Sequence, residues 1–268
     1  MTASYLTAVP AALYALSVVL AVREAQAAKP PSALNLSRLS ALLGVSLHGF
    51  NLFVATQTHG QYHLAVTDSA SLVGWVMALN AVALMWVPGL KLFPAVIFSV
   101  GGSLSILTGL LHGFSEPQPA WELAAHIALA ALAFAWFAIA SLAALCLMWV
   151  HRRLHRRAPL TAFALLPPLE TLERLLFQAL TGGFIALSLA LLTGFFYVTD
   201  AHSQHLWHKI VFTVLAWLSF AILLIGRLRY GWRAKRVLRF TLFGVANLLI
   251  GYFGSKFVLE NLLGRHWG

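Results

Sequence analysis

The sequence predicts an all-α, polytopic membrane bundle of eight transmembrane helices, with the N-terminus and the C-terminus both extracytoplasmic. Three observations predict it. Of the 268 residues 60% are hydrophobic and 10% charged, and the mean hydropathy is +0.81. A soluble domain carries about 25% charged and about 45–50% apolar residues, so a soluble globule is excluded, as is a disordered chain. The charges are spaced so that the runs between them reach the roughly 20 apolar residues a bilayer-spanning helix needs. Positive charges, finally, gather in alternate loops.

The spans follow in order. Residues 3–22 precede the first charge, Arg23. A signal peptide places positive charge ahead of its apolar run, so this segment reads as a retained helix. Gaps between Arg38, Asp68, Lys91 and Glu116 enclose spans over 39–58, 69–87 and 92–112, and the gap from Glu122 to Arg152 encloses 122–150. Pro167-Pro168 introduces leucines at helical spacing, which predict a short interfacial helix at about 168–177 before the span over 178–199. Trp207 and His208 extend the tight gap before Arg227 into a span over 207–227. The last span, 238–260, is interrupted only by Lys256, whose long stem can snorkel to the interface. No repeat or linker divides the chain, so residues 1–268 are expected to form a single integral-membrane domain.

With the N-terminus outside, the inner loops are 23–38, the turn at Lys91, 151–174 and 227–239. They hold all of the 18 Lys and Arg except Lys209, Lys256 and Arg265. Asp68, Glu116, Glu122, Asp200 and Glu260 fall outside. The formal net charge of +10 is therefore an orientation signal, supported by the anionic lipid bilayer. No nucleic-acid partner is needed to explain it. A multi-pass protein of the bacterial inner (cytoplasmic) membrane is expected.

The chemistry-bearing residues are the eleven histidines. His59, His63, His112, His126, His202, His205, His208 and His266 fall on or near the outer face, His151 and His155 among the inner arginines. His48 lies near mid-membrane, where an ionisable group is costly and by default functional. Asn51, Asn80 and Asn247 are its expected hydrogen-bonding partners. Imidazole is a common ligand for metals and haem iron. His112, His126 and His208 fall at the outer ends of antiparallel helices, and two of them from separate helices can clamp an iron porphyrin. Lys209, Lys256 and Arg265 can meet its propionates, and Trp207 can stack on it or serve in the interfacial belt. The triplet His202, His205 and His208 crosses a loop-to-helix boundary, a poor base for a zinc or copper site. No Gly-rich phosphate loop or buried carboxylate dyad supports hydrolysis or phosphoryl transfer, so no enzyme is expected. Gly101-Gly102 and Gly182-Gly183 lie inside spans, where small residues let helices approach closely.

The run from His208 to Glu260, HKIVFTVLAWLSFAILLIGRLRYGWRAKRVLRFTLFGVANLLIGYFGSKFVLE, resembles the cytochrome c assembly family of CcsA/CcmC-type haem-handling membrane proteins. The resemblance extends through LLPPLETLERLLFQALTGGFIALSLALLTGFF to the helix HIALAALAFAWFAIASLAAL. It covers roughly residues 120–265 well and the first four helices in general pattern. The YFGSKFVLE and GWR segments are similar to the YpjD/HemX-like branch. In the family's haem exporters a tryptophan-rich outer loop cradles haem between two outer histidines. By resemblance His126 takes the first of those positions and His266 is an approximate counterpart of the second. His208-Lys209 falls where the tryptophan-rich motif ends. Residues 196–207, FYVTDAHSQHLW, depart from that motif in being short and carrying one tryptophan.

The resemblance therefore implies non-covalent binding of haem b in the membrane rather than export to apocytochrome c. His126 with His208 is the leading ligand pair, and His48 and His266 are the other ligand positions. Another membrane or haem-pathway protein is an expected partner. Two other classes stand beside this reading. One is a divalent-cation or proton transporter using His48, Asn51 and the outer histidines. The other is a non-catalytic scaffold regulating haem biosynthesis through its basic inner loops.

Overall fold

The helix order matches that expectation. In the computed structural model the described chain forms α1 (Thr2–Gln26), α2 (Leu36–Thr56), α3 (Val66–Leu84), α4 (Phe93–Leu110), α5 (Trp121–His155), α6 (Leu169–Tyr197), α7 (Trp207–Tyr230) and α8 (Lys235–Leu249). A π-helical turn, Ile250–Gly254, follows α8. The structure describes residues 2–26, 35–58, 61–64, 66–90, 93–110, 116–118, 121–155, 167–197, 207–233 and 235–254. Among them, four helical segments are long and apolar enough to cross a membrane: Ala8–Gln26, Ala125–His155, Leu169–Phe196 and Lys209–Tyr230. The segments Asp68–Leu84 and Phe93–Ile106 are apolar but shorter.

One expectation needs correction. The interfacial helix over 168–177 is not a separate element, because Leu169 through Tyr197 form one continuous helix of 29 residues. Pro167 and Pro168 stand just ahead of its first turn, where a missing N–H costs nothing, and the Pro168 carbonyl accepts the Leu172 N–H. Nothing between Leu172 and Gly182 breaks the helix, so its amphipathic start runs straight on into the span. A small sheet accompanies the helices without changing the all-α class. β1 (Gln57–Thr58), β2 (Gln61–Leu64) and β3 (Glu116–Gln118) form an antiparallel sheet in the order β1-β2-β3. Strands of two to four residues are too short to show an alternating pattern.

The chain divides into two compact units, Met1–Ala124 with Arg152–Leu172, and Ala125–His151 with Glu173–Gly268. In the first, α1 packs on α2 and α4, and α3 packs on α4 and α2. Backbones meet where Gly101 faces Gly74: a Cβ on Gly101 would stand 2.9 Å from the Gly74 carbonyl oxygen. The end of α1 caps the start of α2. The Glu24 carboxylate accepts from the Ser37 N–H at 3.2 Å, the Ser37 hydroxyl at 2.6 Å and the Asn35 amide at 2.6 Å. Asn35 itself accepts from the Arg38 N–H. These bonds satisfy helix donors that have no partner within the helix.

In the second unit, Gly182 and Gly183 of α6 meet α5, with the Trp136 ring lying over the position a Gly182 side chain would fill. The Phe137 ring of α5 stacks on Phe220 of α7 at 3.7 Å between centroids. Helix α8 buries Val237, Thr241, Gly244, Asn247 and Leu248, one face at helical spacing. Gly231, at φ +61°, ends α7 in the left-handed conformation, and its N–H reaches the Arg227 carbonyl. Phe195, Phe196 and Leu228 project outward with most of their surface uncovered, as lipid-facing side chains do.

Candidate functional site

Two sets of polar contacts inside the helices involve the predicted histidines, one in each unit. In the first unit His48 of α2 is 1% exposed. Its Nδ1 lies 3.1 Å from the Tyr14 hydroxyl of α1 and its Nε2 lies 2.9 Å from the Ser71 hydroxyl of α3. A neutral imidazole carries one N–H and one lone pair, so one hydroxyl donates to the ring and the other accepts from it. The Tyr14 ring stacks on Phe98 of α4 at 5.3 Å. His48 thus joins three helices through a continuous, fully partnered chain.

The expected asparagine partners are not the ones used. Both ring nitrogens are occupied by hydroxyls, and the side-chain amides of Asn80 and Asn247 donate to the carbonyls of Val76 and Phe243, each one turn back on its own helix. An amide in a span is satisfied most locally by the carbonyl four residues earlier. Sequence reading missed Tyr14 and Ser71. Their signal was available: a tyrosine deep in an apolar span needs a partner for its hydroxyl.

In the second unit His126 stands in the second turn of α5 and is half-buried against α6. Its Nδ1 is 3.1 Å from Thr193 Oγ1. The same hydroxyl also stands within hydrogen-bond distance of two carbonyls of its own helix, Leu189 at 3.1 Å and Ala190 at 3.0 Å. Whether Nδ1 donates to the hydroxyl or accepts from it depends on the imidazole tautomer. Nε2 has no hydrogen-bond partner among the described residues. Gly194 makes room for this arrangement, since a Cβ there would come 3.1 Å from the imidazole Cε1. Thr193 and Gly194 were not singled out from the sequence, because a Thr-Gly pair in a span reads equally well as helix packing.

His208 and Trp207 begin α7, and their side chains lie outside the described residues. Helix direction places them at the end of this unit where α5 starts and α6 finishes. Lys209 follows, half-buried, and its carbonyl accepts the Thr213 hydroxyl at 2.7 Å. The π turn closes the same end: Gly251 packs against Phe212, and Tyr252 lies 5.9 Å from the Phe134 ring of α5. His266, Lys256 and Arg265 lie outside the described residues, as do His59, His112, His202 and His205. Among the described residues no three His, Cys, Asp or Glu side chains converge as a metal site.

A histidine buried between two hydroxyls and a second one paired with a threonine hydroxyl, both within long apolar helices, belong to a polytopic membrane protein. The cytochrome c assembly protein family matches residues 33–263, and the chain belongs to that family, whose business involves haem. It is similar to the inner membrane protein YpjD of Escherichia coli K12, with 36% identity over 135 residues, 50% of this chain and 51% of that protein. A 28.8 kDa protein of Azospirillum brasilense is 30% identical over 142 residues, 52% of each chain. The cytochrome c biogenesis protein CcsA of Prochlorococcus marinus is 31% identical over 100 residues, 37% of this chain and 32% of that protein. The chain spans about half the length of the first of these relatives. No solved structure matches it. With its long apolar helices and these relatives, it is a multi-pass protein of the inner membrane. No enzyme family is indicated.

Proposed function

We propose that this protein binds haem b non-covalently near the outer face of the inner membrane and acts in haem handling or cytochrome maturation. The observation that carries this is the state of His126. Its Nδ1 is paired with Thr193 and its Nε2 has no partner among the described residues, so with Nδ1 protonated the Nε2 lone pair would be the donor to haem iron. Metal-binding histidines characteristically donate their other ring nitrogen to such a partner. His126 fits the iron by donor chemistry, and His208 at the same end of the bundle is the second ligand. His48 stands behind them, because coordination would cost it one of two existing hydrogen bonds. His266 is the remaining ligand position, and Lys209, Lys256 and Arg265 are positioned by sequence to meet the propionates, beside Trp207. Haem, when bound, would supply a redox-active iron. The chain's own part is to orient the imidazole and exclude water. The proposal includes eight spans in one membrane domain, with both termini outside.

The absorption spectrum of protein purified after expression with ample haem tests this. A Soret band is expected, lost in His126→Ala and in His208→Ala. Thr193→Val removes the hydroxyl without changing shape, and it should lower haem affinity by about tenfold or more, whereas Thr193→Ser should retain it. No Soret band in the parent protein, or a band untouched by both histidine changes, overturns the reading.

A further inference from the structure

The turn between α7 and α8 is built as more than a connection. Gly231 reverses the chain, and Trp232 folds back so that its N–H reaches the Gly226 carbonyl and its ring covers Gly226. Arg236 lies over the Trp232 ring at 5.6 Å, and Phe240 tilts against it at 5.3 Å. Around this aromatic floor is a groove of about 500 Å³, lined by Arg233, Lys235, Arg236 and Arg239, with His151 on the α5 side. The nearby carboxylate, Glu173, is engaged by Arg227 at 2.8 Å, with Arg233 further off at 3.7 Å. Lys235 and Arg239 have no hydrogen-bond, ion-pair or ring partner among the described residues. The first N–H groups of α8 begin at Lys235 and add partial positive charge to the same place.

We infer that this groove binds the phosphate of an anionic phospholipid. Charge complementarity selects an anion, and guanidinium groups present paired N–H donors that match phosphate oxygens. The surroundings select a lipid over a free ion. The groove lies at the common end of two membrane-crossing helices, α5 and α7. Beside it Leu228 is 85% exposed and Tyr230 73% exposed, apolar surface that acyl chains cover and a free phosphate does not. Cations that merely orient a helix need only stand near the surface. These converge on one groove over an ordered tryptophan, as headgroup sites between membrane helices do.

The test uses the full chain reconstituted in phosphatidylcholine vesicles, with trace spin-labelled phosphatidylglycerol or spin-labelled phosphatidylcholine. The motionally restricted fraction is read by electron spin resonance. The parent protein is expected to restrict the anionic lipid preferentially, by about threefold or more. Arg236→Gln/Arg239→Gln should abolish the preference. Arg152→Gln/Arg229→Gln, which removes the same charge from two residues outside the groove's lining, should keep it. Equal loss in both pairs means diffuse attraction and overturns the site, as does no loss in the first pair. Displacement of the labelled lipid by millimolar inorganic phosphate, at ionic strength matched with chloride, overturns the lipid assignment. Should the paired variant fail to fold, Arg239→Gln alone carries the same expectation, since that side chain touches no partner among the described residues.

Discussion

Tyr14, His48 and Ser71 illustrate what a single polar side chain needs inside apolar helices. With no water at hand, each ring nitrogen of His48 is served by a hydroxyl from a different helix. Tyr14→Phe keeps the stack on Phe98 but leaves one imidazole nitrogen without a partner. An unsatisfied buried polar group costs about 1–3 kcal/mol. The expected outcome is a lower melting temperature in detergent, with the haem spectrum retained if His126 and His208 are the ligands. Loss of the Soret band in Tyr14→Phe, with folding intact, would instead move the ligand to His48. Thr193 works differently: it pairs with one nitrogen of His126 and leaves the other without a partner among the described residues. Two hydroxyls satisfy His48 inside the fold, and one orients the candidate ligand His126.

The elements meet through small residues as much as through large ones. Among helices in lipid the hydrophobic drive between segments is weak, and close backbone approach takes its place. Gly101 against Gly74 and Gly182 under Trp136 are such approaches. The paired glycines inside spans announced them, but not their partners. Gly182→Val puts a branched side chain where the Trp136 ring lies. Overpacking of this kind costs about 1–3 kcal/mol, occasionally more, so a clear fall in melting temperature is expected. A melting temperature equal to the parent's would mean that α5 and α6 do not pack in this way. Helix ends are equally specific. Arg38 donates to the Met85 carbonyl at the end of α3 at 2.9 Å and lies over Trp86 at 5.0 Å. A residue read from sequence as an inner-face cation thus also closes a helix terminus.

For the whole molecule, the prediction concerns topology. Alkaline phosphatase fused after Asp200 or Glu260 is expected to be active, and fused after Arg157 or Arg233 inactive. The reverse pattern would turn the bundle over and place His126 and the start of α7 on the cytoplasmic side. The membrane assignment would survive that result. The proposal of haem binding near the outer face would not, and the groove between α7 and α8 would then meet the other leaflet. The four long apolar segments are compatible with either orientation, because length and hydropathy carry no direction. Direction rests on the segregation of Lys and Arg.

By itself the sequence determined the helical class and the membrane setting. Each of these depends on properties that accumulate along a continuous segment, such as hydropathy over 20 residues or charge per loop. Residue choice also showed that histidine was the group to follow. Only the tertiary structure decided which histidine is satisfied and which keeps a nitrogen open. Tyr14 lies 34 residues from His48, and Thr193 lies 67 from His126. Such pairs arise from how helices pack, and no local pattern records them. The same holds for the small sheet, whose third strand is contributed by a segment more than 50 residues beyond the second. It holds too for the division into two units, since a chain that is apolar throughout shows no linker where contacts separate. Periodicity is a local property of the chain; the partner of a buried polar atom is a property of the fold.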